Sequence, residues 1–187
     1  MHRQLPLASS CLPKKLPASR SKEATWVRQL GAGDSAAWLH LIEYWSPRLY
    51  TYLLYQGLTE VETQTLLSAI FAEVVQSVVG GLRVTNLTVL IFAIASQQVL
   101  NHCRQRPTVP LKTQELPRLL AEASDDQQRT LLQTLRYFTL EAQQVILLYH
   151  LYTVPLAEIA QIVGQPEEML SKLLYRFKYY LADLHGR

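Results

Sequence analysis

Catalysis needs reactive side chains brought together, and in this sequence they are scattered. The five histidines are His2, His40, His102, His150 and His185. None has a neighbour at the HxxxH or HExxH spacing that sets two imidazoles on one helical face around zinc. Isolated histidines on helices are ordinarily packing or surface residues. Cys11 and Cys103 are the only cysteines and lie far apart with no CxxC partner. That spacing argues against a zinc site or a disulfide framework and fits a reducing cytoplasm. The carboxylates cluster as Glu60/Glu62, Asp125/Asp126 and Glu167/Glu168, each beside an expected helix start, where the positive end of the helix dipole favours them. Capping therefore outweighs acid–base work. With no nucleophile elbow and no glycine-rich phosphate loop, the expectation is a non-enzymatic protein using neither metal nor cofactor.

What remains is binding, and its residues gather at the end of the chain. Lys172, Arg176 and Lys178 alternate with Tyr175, Tyr179 and Tyr180. They follow a stretch from Val154 to Leu181 that reads as a helix-turn-helix. Leu156, Ile159, Ala160 and Val163 fall at helical spacing, Gly164-Gln165-Pro166 breaks the period, and Met169, Leu170, Leu173, Leu174 and Phe177 resume it. Ala160 is small enough for the crossing, Gly164 tolerates a positive φ in the turn, and Leu170 is apolar inside the second helix. The same residues would serve any corner between two packed helices. If the unit binds DNA, the N-terminal part of its second helix enters the major groove. Glu167, Glu168, Ser171, Lys172 and Tyr175 then face base edges, while Arg176 and Lys178 reach phosphates. Two glutamates at that end repel a phosphate-rich surface, so the helix is weakly basic for the task.

The preceding chain must position this unit, and its pattern is helical throughout. Residues 1–22 are rich in Pro, Ser, Lys and Arg and are expected to form a flexible basic tail. Trp26, Val27 and Leu30 make a short amphipathic turn ending at Gly31-Ala32-Gly33, with Asp34 or Ser35 capping the next helix. That helix carries Ala37, Trp38, Leu41, Ile42, Trp45, Leu49, Tyr52 and Leu53 to near Gly57, and Pro47 predicts a kink or break within it. Thr59 and Glu62 stand at capping-box spacing for a third helix reaching Gly80-Gly81. A fourth spans about Asn86 to Arg104. Pro107, Pro110 and Pro117, followed by Ser124-Asp125-Asp126, mark a boundary. Beyond it, 128–137 and 140–152 read as two further helices. The fold expected is all-α: two small helical domains, 23–106 and 127–187, joined by a linker over 107–126.

A chain of 187 residues, 49% hydrophobic and 18% charged, can bury a real core. Its net charge of +3 permits a polyanionic partner without demanding one. The longest apolar run, Val89 to Ala95, falls far short of the roughly 18 to 20 residues that span a bilayer, and the prolines and Lys14-Lys15 near the N-terminus interrupt any signal-peptide core. A cytoplasmic protein without membrane contact is expected.

Laid out this way, the chain from about 24 to 184 resembles a bacterial sigma factor of the small, two-domain extracytoplasmic-function group, within the sigma-70 family. Gly31-Ala32-Gly33-Asp34, Ala37-Trp38, Leu41, Tyr44 and Pro47-Arg48-Leu49-Tyr50 are similar to that group's opening AGD, aromatic, tyrosine and P-x-LY pattern. Ile94-Ala95, Asn101-His102 and Arg104-Gln105-Arg106 look like its IARN...DHLRRR segment, and Ala157 to Gly164 resembles its AEIA-x-x-LG. The resemblance implies a four-helix sigma domain two that binds core RNA polymerase and the −10 element, and a sigma domain four whose helix-turn-helix reads the −35 element. It places polymerase contacts at Glu62, Leu66, Ser68 and Phe71 and further DNA contacts at Asn101, Arg104 and Arg106. An anti-sigma factor or other regulatory protein is a further implied partner. The chain departs from the pattern where Thr65, Ser68 and Ala69 replace the usual Asp, Gln and Glu, and where Met169, Ser171 and Leu173 replace Thr, Lys and Arg. A sigma-like adaptor or regulator working through protein contacts without promoter binding is one alternative, and a DNA-binding regulator that does not engage polymerase is another.

Overall fold

In the computed structural model the described residues are 20–105 and 126–185, and among them the structure is entirely helical. Helix α1 (Arg20–Gly31) begins inside the stretch expected to be tail. Gly33 at φ 77° turns the chain, and the Asp34 side chain accepts from the Ala36 and Ala37 amides to start α2 (Ser35–Tyr55).

Helix α2 runs through Pro47, so of the kink or break expected there the break does not occur. Pro47 sits on the exposed side, where water can serve the carbonyl that its missing N–H leaves free. One turn on, the Thr51 hydroxyl donates to the Pro47 carbonyl at 2.9 Å. From Arg48 to Tyr55 every residue of α2 is buried, so its second half is the centre of the fold rather than a one-sided amphipathic helix.

Thr59 and Glu62 form the expected capping box of α3 (Glu60–Val79), with both reciprocal bonds present. Asn86 caps α4 (Leu87–Arg104) through its side chain. The expected linker lies almost wholly outside the described residues; α5 (Asp126–Leu135) and α6 (Leu140–His150), the latter capped by Thr139, follow. The helix-turn-helix consists of α7 (Leu156–Val163) and α8 (Glu167–His185). Gly164 closes α7 in the left-handed region at φ 66°, its amide donating to the Ala160 carbonyl.

The two helical sets share one hydrophobic cluster, in which α7 packs on α4. Tyr152, between α6 and α7, inserts its ring beside Phe92 of α4 and Tyr52 of α2, with centroids 5.1 Å and 6.0 Å away. Its hydroxyl donates to the Arg48 carbonyl at 2.7 Å. Beside it, the Gln144 amide donates to the Ser96 carbonyl at 3.2 Å. Tyr52 and Ser96 exchange a hydrogen bond at 2.9 Å between α2 and α4, and complete burial drives the Tyr52 phenol well above its ordinary pKa.

Candidate nucleic-acid interface

Helix α8 lies on the protein along one narrow stripe. Leu170 and Phe177 are fully buried, Leu173, Leu174 and Leu181 partly so. The Phe177 ring is held by Phe138 at 5.4 Å and His150 at 5.3 Å. This spacing of seven residues with apolar residues between fixes the rotation of α8, and everything a quarter turn or more away meets solvent.

The solvent face carries all seven of the residues proposed on α8. Glu167, Glu168, Ser171, Lys172, Tyr175, Arg176 and Lys178 are exposed, with Tyr175 at 72%. Lys172 is not a free cation: its ammonium lies 2.7 Å from the Glu168 carboxylate at i,i+4. Arg176 and Lys178 have no partner among the described residues and flank the crest on either side. Tyr179, named with these residues in the sequence but given no contact there, is 73% exposed and stands one turn beyond Tyr175 on the same crest. Its four-residue spacing from Tyr175 was the available signal. Met169 is exposed as well. Of the other tyrosines in this half of the chain, Tyr152 is core, Tyr149 is exposed, and Tyr180 is half-buried against Tyr137. The Arg136 guanidinium covers the Tyr137 ring at 4.6 Å.

The C-terminal end of α4 presents Asn101 and Arg104 to solvent. Asn101 accepts from Gln97 at 3.0 Å, and Arg104 sits where the helix dipole favours a cation. Arg106 lies outside the described residues. Helix α7, not α8, is the part of the corner packed against α4, which leaves the outer face of α8 uncovered.

On α3 the residues implied as polymerase contacts divide. Leu66 and Phe71 are 7% and 9% exposed and belong to the core. Glu62 is engaged on both oxygens: one accepts from the Thr59 amide and hydroxyl at 2.8 Å, the other lies 3.3 Å from His102 Nε2. Ser68 is exposed, in a face with Val61, Gln64, Thr65, Ala69 and Ala72 that bears no charge.

No group of three or more metal-ligating side chains occurs among the described residues. A cleft of about 60 Å³ between α4, α6 and α7, lined by Ser96, Gln97, Glu141, Gln144 and Gln165, has room for a water or two and not for an organic cofactor. No helix is long and apolar enough to cross a membrane among the described residues.

No family model matches the sequence, and no curated protein matches it either. Among solved structures, one described as the 1.8 Å structure of the RsbN–BldN complex is 21% identical, with a TM-score of 0.38, covering 84% of this chain and 98% of that one.

Proposed function

We propose that the protein is a sigma-type transcription factor: it binds core RNA polymerase through the α1 to α4 set and contacts promoter DNA through α8 and the end of α4. The observation that carries this reading is the αα-corner itself. Gly164 at φ 66° sets α8 on its apolar stripe so that Ser171, Lys172, Tyr175, Arg176 and Lys178 project together from its outer face. The sequence resemblance over 24–184 supplies the polymerase partner, and the solvent-facing Asn101 and Arg104 are available to a second DNA element.

A second reading, a sigma-like adaptor that acts through protein contacts, is favoured by one specific feature. The crest of α8 carries two exposed tyrosines, and its most N-terminal lysine is already paired with an acid; Tyr and Arg are the residue types enriched at protein interfaces. Size-exclusion chromatography with bacterial core RNA polymerase separates the readings. Co-elution near one-to-one, with salt-sensitive promoter binding by the complex, is expected for the first. Folded protein that elutes apart from polymerase would refute it.

A further inference from the structure

Helix α3 turns one face to the core and leaves the opposite one uncovered. Leu66, Ile70 and Val74 are buried, while on the other side Val61, Thr65, Ser68, Ala72, Val75 and Val79 recur at alternating steps of four and three residues. That alternation is the a/d repeat of a coiled-coil seam. Val75 is half-buried and the other five are exposed, with Val61 and Val79, at the two ends, 73% and 65% exposed.

The seam is apolar in effect. Its two hydroxyls are satisfied within the helix, Thr65 donating to the Val61 carbonyl at 2.9 Å and Ser68 to the Gln64 carbonyl at 3.2 Å. The flanking Gln64, Ala69 and Gln76 carry no charge. Glu62 and Glu73 lie about a quarter turn or more round the helix from the seam and are engaged there, Glu62 with Thr59 and His102 and Glu73 with Gln98. An outer helix face normally carries its charges towards solvent, and this one places them at its edges.

The order of the residues identifies what covers it. The seam is symmetric about the level of Ile70, so that in an antiparallel pair of α3 helices Val61 falls opposite Val79, Thr65 opposite Val75 and Ser68 opposite Ala72. Each a position then meets a d position, with the smallest side chains at the centre and valine on valine at both ends. Charge favours the same arrangement. Antiparallel pairing opposes the two helix macrodipoles and brings the acidic first turn, with Glu60, towards the exposed Arg83 that follows α3 in the second copy; parallel pairing would set the two acidic ends together. The contact strip is about 27 Å long and about 10 Å wide, short of the roughly 800 Å² per partner of a standard stable interface. Association of this size is weak and reversible.

We infer that a second copy of this chain docks antiparallel on α3 through this seam, forming a two-fold dimer that covers Ser68. The dimer stands on α3 alone; its consequence, that self-pairing and polymerase compete for one face, rests on the function proposed above.

Sedimentation equilibrium of the full chain from about 1 μM to about 1 mM tests it. The weight-average mass should rise from that of one chain towards that of two. Ala72→Glu, on the exposed side, should stay folded by circular dichroism and weaken association at least about tenfold, since two carboxylates then meet beside the two-fold axis. Ser68→Lys combined with Ala72→Glu should restore the dimer, because each lysine then faces the glutamate of the other copy; in a parallel pair glutamate would face glutamate. A chain that is monomeric throughout the range overturns the inference and leaves the seam to a different helix. A dimer indifferent to Ala72→Glu overturns it too, as does a double variant that stays monomeric. Core RNA polymerase added to the dimer should dissolve it into a one-to-one complex; polymerase that binds nothing and leaves the dimer intact sinks the proposed function and upholds the dimer.

Discussion

The Tyr152 hydroxyl donates to the carbonyl of Arg48 at 2.7 Å, joining residues 104 positions apart in sequence. The ring that carries this hydroxyl is fully buried among Tyr52 and Phe92, so a single side chain fastens the two helical sets by both its apolar body and its polar tip. Tyr152→Phe removes only the tip and should lower the unfolding free energy by about 1 kcal/mol. Tyr152→Ala also leaves a cavity and should lower it by about 3–5 kcal/mol. Urea denaturation followed by circular dichroism measures both. Because the core is continuous across the junction, the loss should move one cooperative transition; two separated transitions in the unsubstituted protein would show that the sets unfold independently.

Gly164 tests the corner from which α8 projects. A Cβ built at this residue meets no atom within 4 Å, so space is not the reason for glycine. The reason is φ 66°, which penalises any residue bearing a Cβ. Gly164→Ala is therefore expected to destabilise by about 1 kcal/mol, and Gly164→Asn by less, since asparagine tolerates the left-handed region. Equal losses for the two would show that something other than backbone conformation is at stake.

Thr153 is the converse case. It is exposed and held at φ 55°, where a β-branched residue is an outlier. Thr153→Asn should stabilise by about 1 kcal/mol by relieving that strain. Destabilisation would mean that the threonine side chain makes a contribution outweighing its backbone conformation.

The local punctuation of this fold was legible in the sequence, and its long-range contacts were not. Asp34, Thr59 with Glu62, and Gly164 announce helix ends through residue types whose hydrogen bonds or φ values are settled within a few neighbours, and all three act as read. At Pro47, where a kink or a break was expected, the helix does not break, because on the exposed side of α2 water can serve the freed carbonyl. The contacts of Tyr152 with Arg48, and of Gln144 with Ser96, span 104 and 48 residues, and no periodicity encodes such a meeting. The same gap affects the candidate sites. Helical spacing identified the exposed face of α8 through its charged residues and Tyr175, yet assigned no contact to Tyr179, whose place on the crest depends on the rotation of the helix that Leu170 and Phe177 fix. On α3 the resemblance supplied Leu66 and Phe71 by motif position, with nothing in the motif to say that their side chains turn inward.

His150 gives the fold a pH dependence with a definite sign. Its ring packs 5.3 Å from that of Phe177, and the partial burial lowers its pKa below 6.5, so the folded state favours the neutral imidazole. Above about pH 6.5 the ring is neutral in both states and contributes no pH dependence. As the pH falls below that value the unfolded chain takes up the proton first, and stability declines until the folded-state pKa is passed. His150→Gln should flatten this part of a stability-against-pH profile. If the profile is unchanged, the acid sensitivity belongs to other groups.

The ion pair at the start of α8 offers the sharpest test of that helix as a nucleic-acid surface. Glu168 and Lys172 are both exposed and 2.7 Å apart at i,i+4, a pair that contributes only about 0.3–0.5 kcal/mol to a helix but sets an acid against the one lysine in the first two turns of α8. Glu168→Gln should leave stability nearly unchanged while freeing Lys172 and removing a charge that repels phosphate, so DNA affinity and its salt dependence should both rise. Lys172→Ala alone should weaken binding less than Arg176→Ala or Lys178→Ala, since among the described residues no acid lies against those two cations; each of the latter should flatten the salt slope by about 0.9 if it meets one phosphate. Combining Glu168→Gln with Lys172→Ala should cancel much of the gain, because the two effects act through one pair. Affinity indifferent to all four substitutions would remove this face of α8 from any role in nucleic-acid binding and leave its exposed tyrosines to a protein partner.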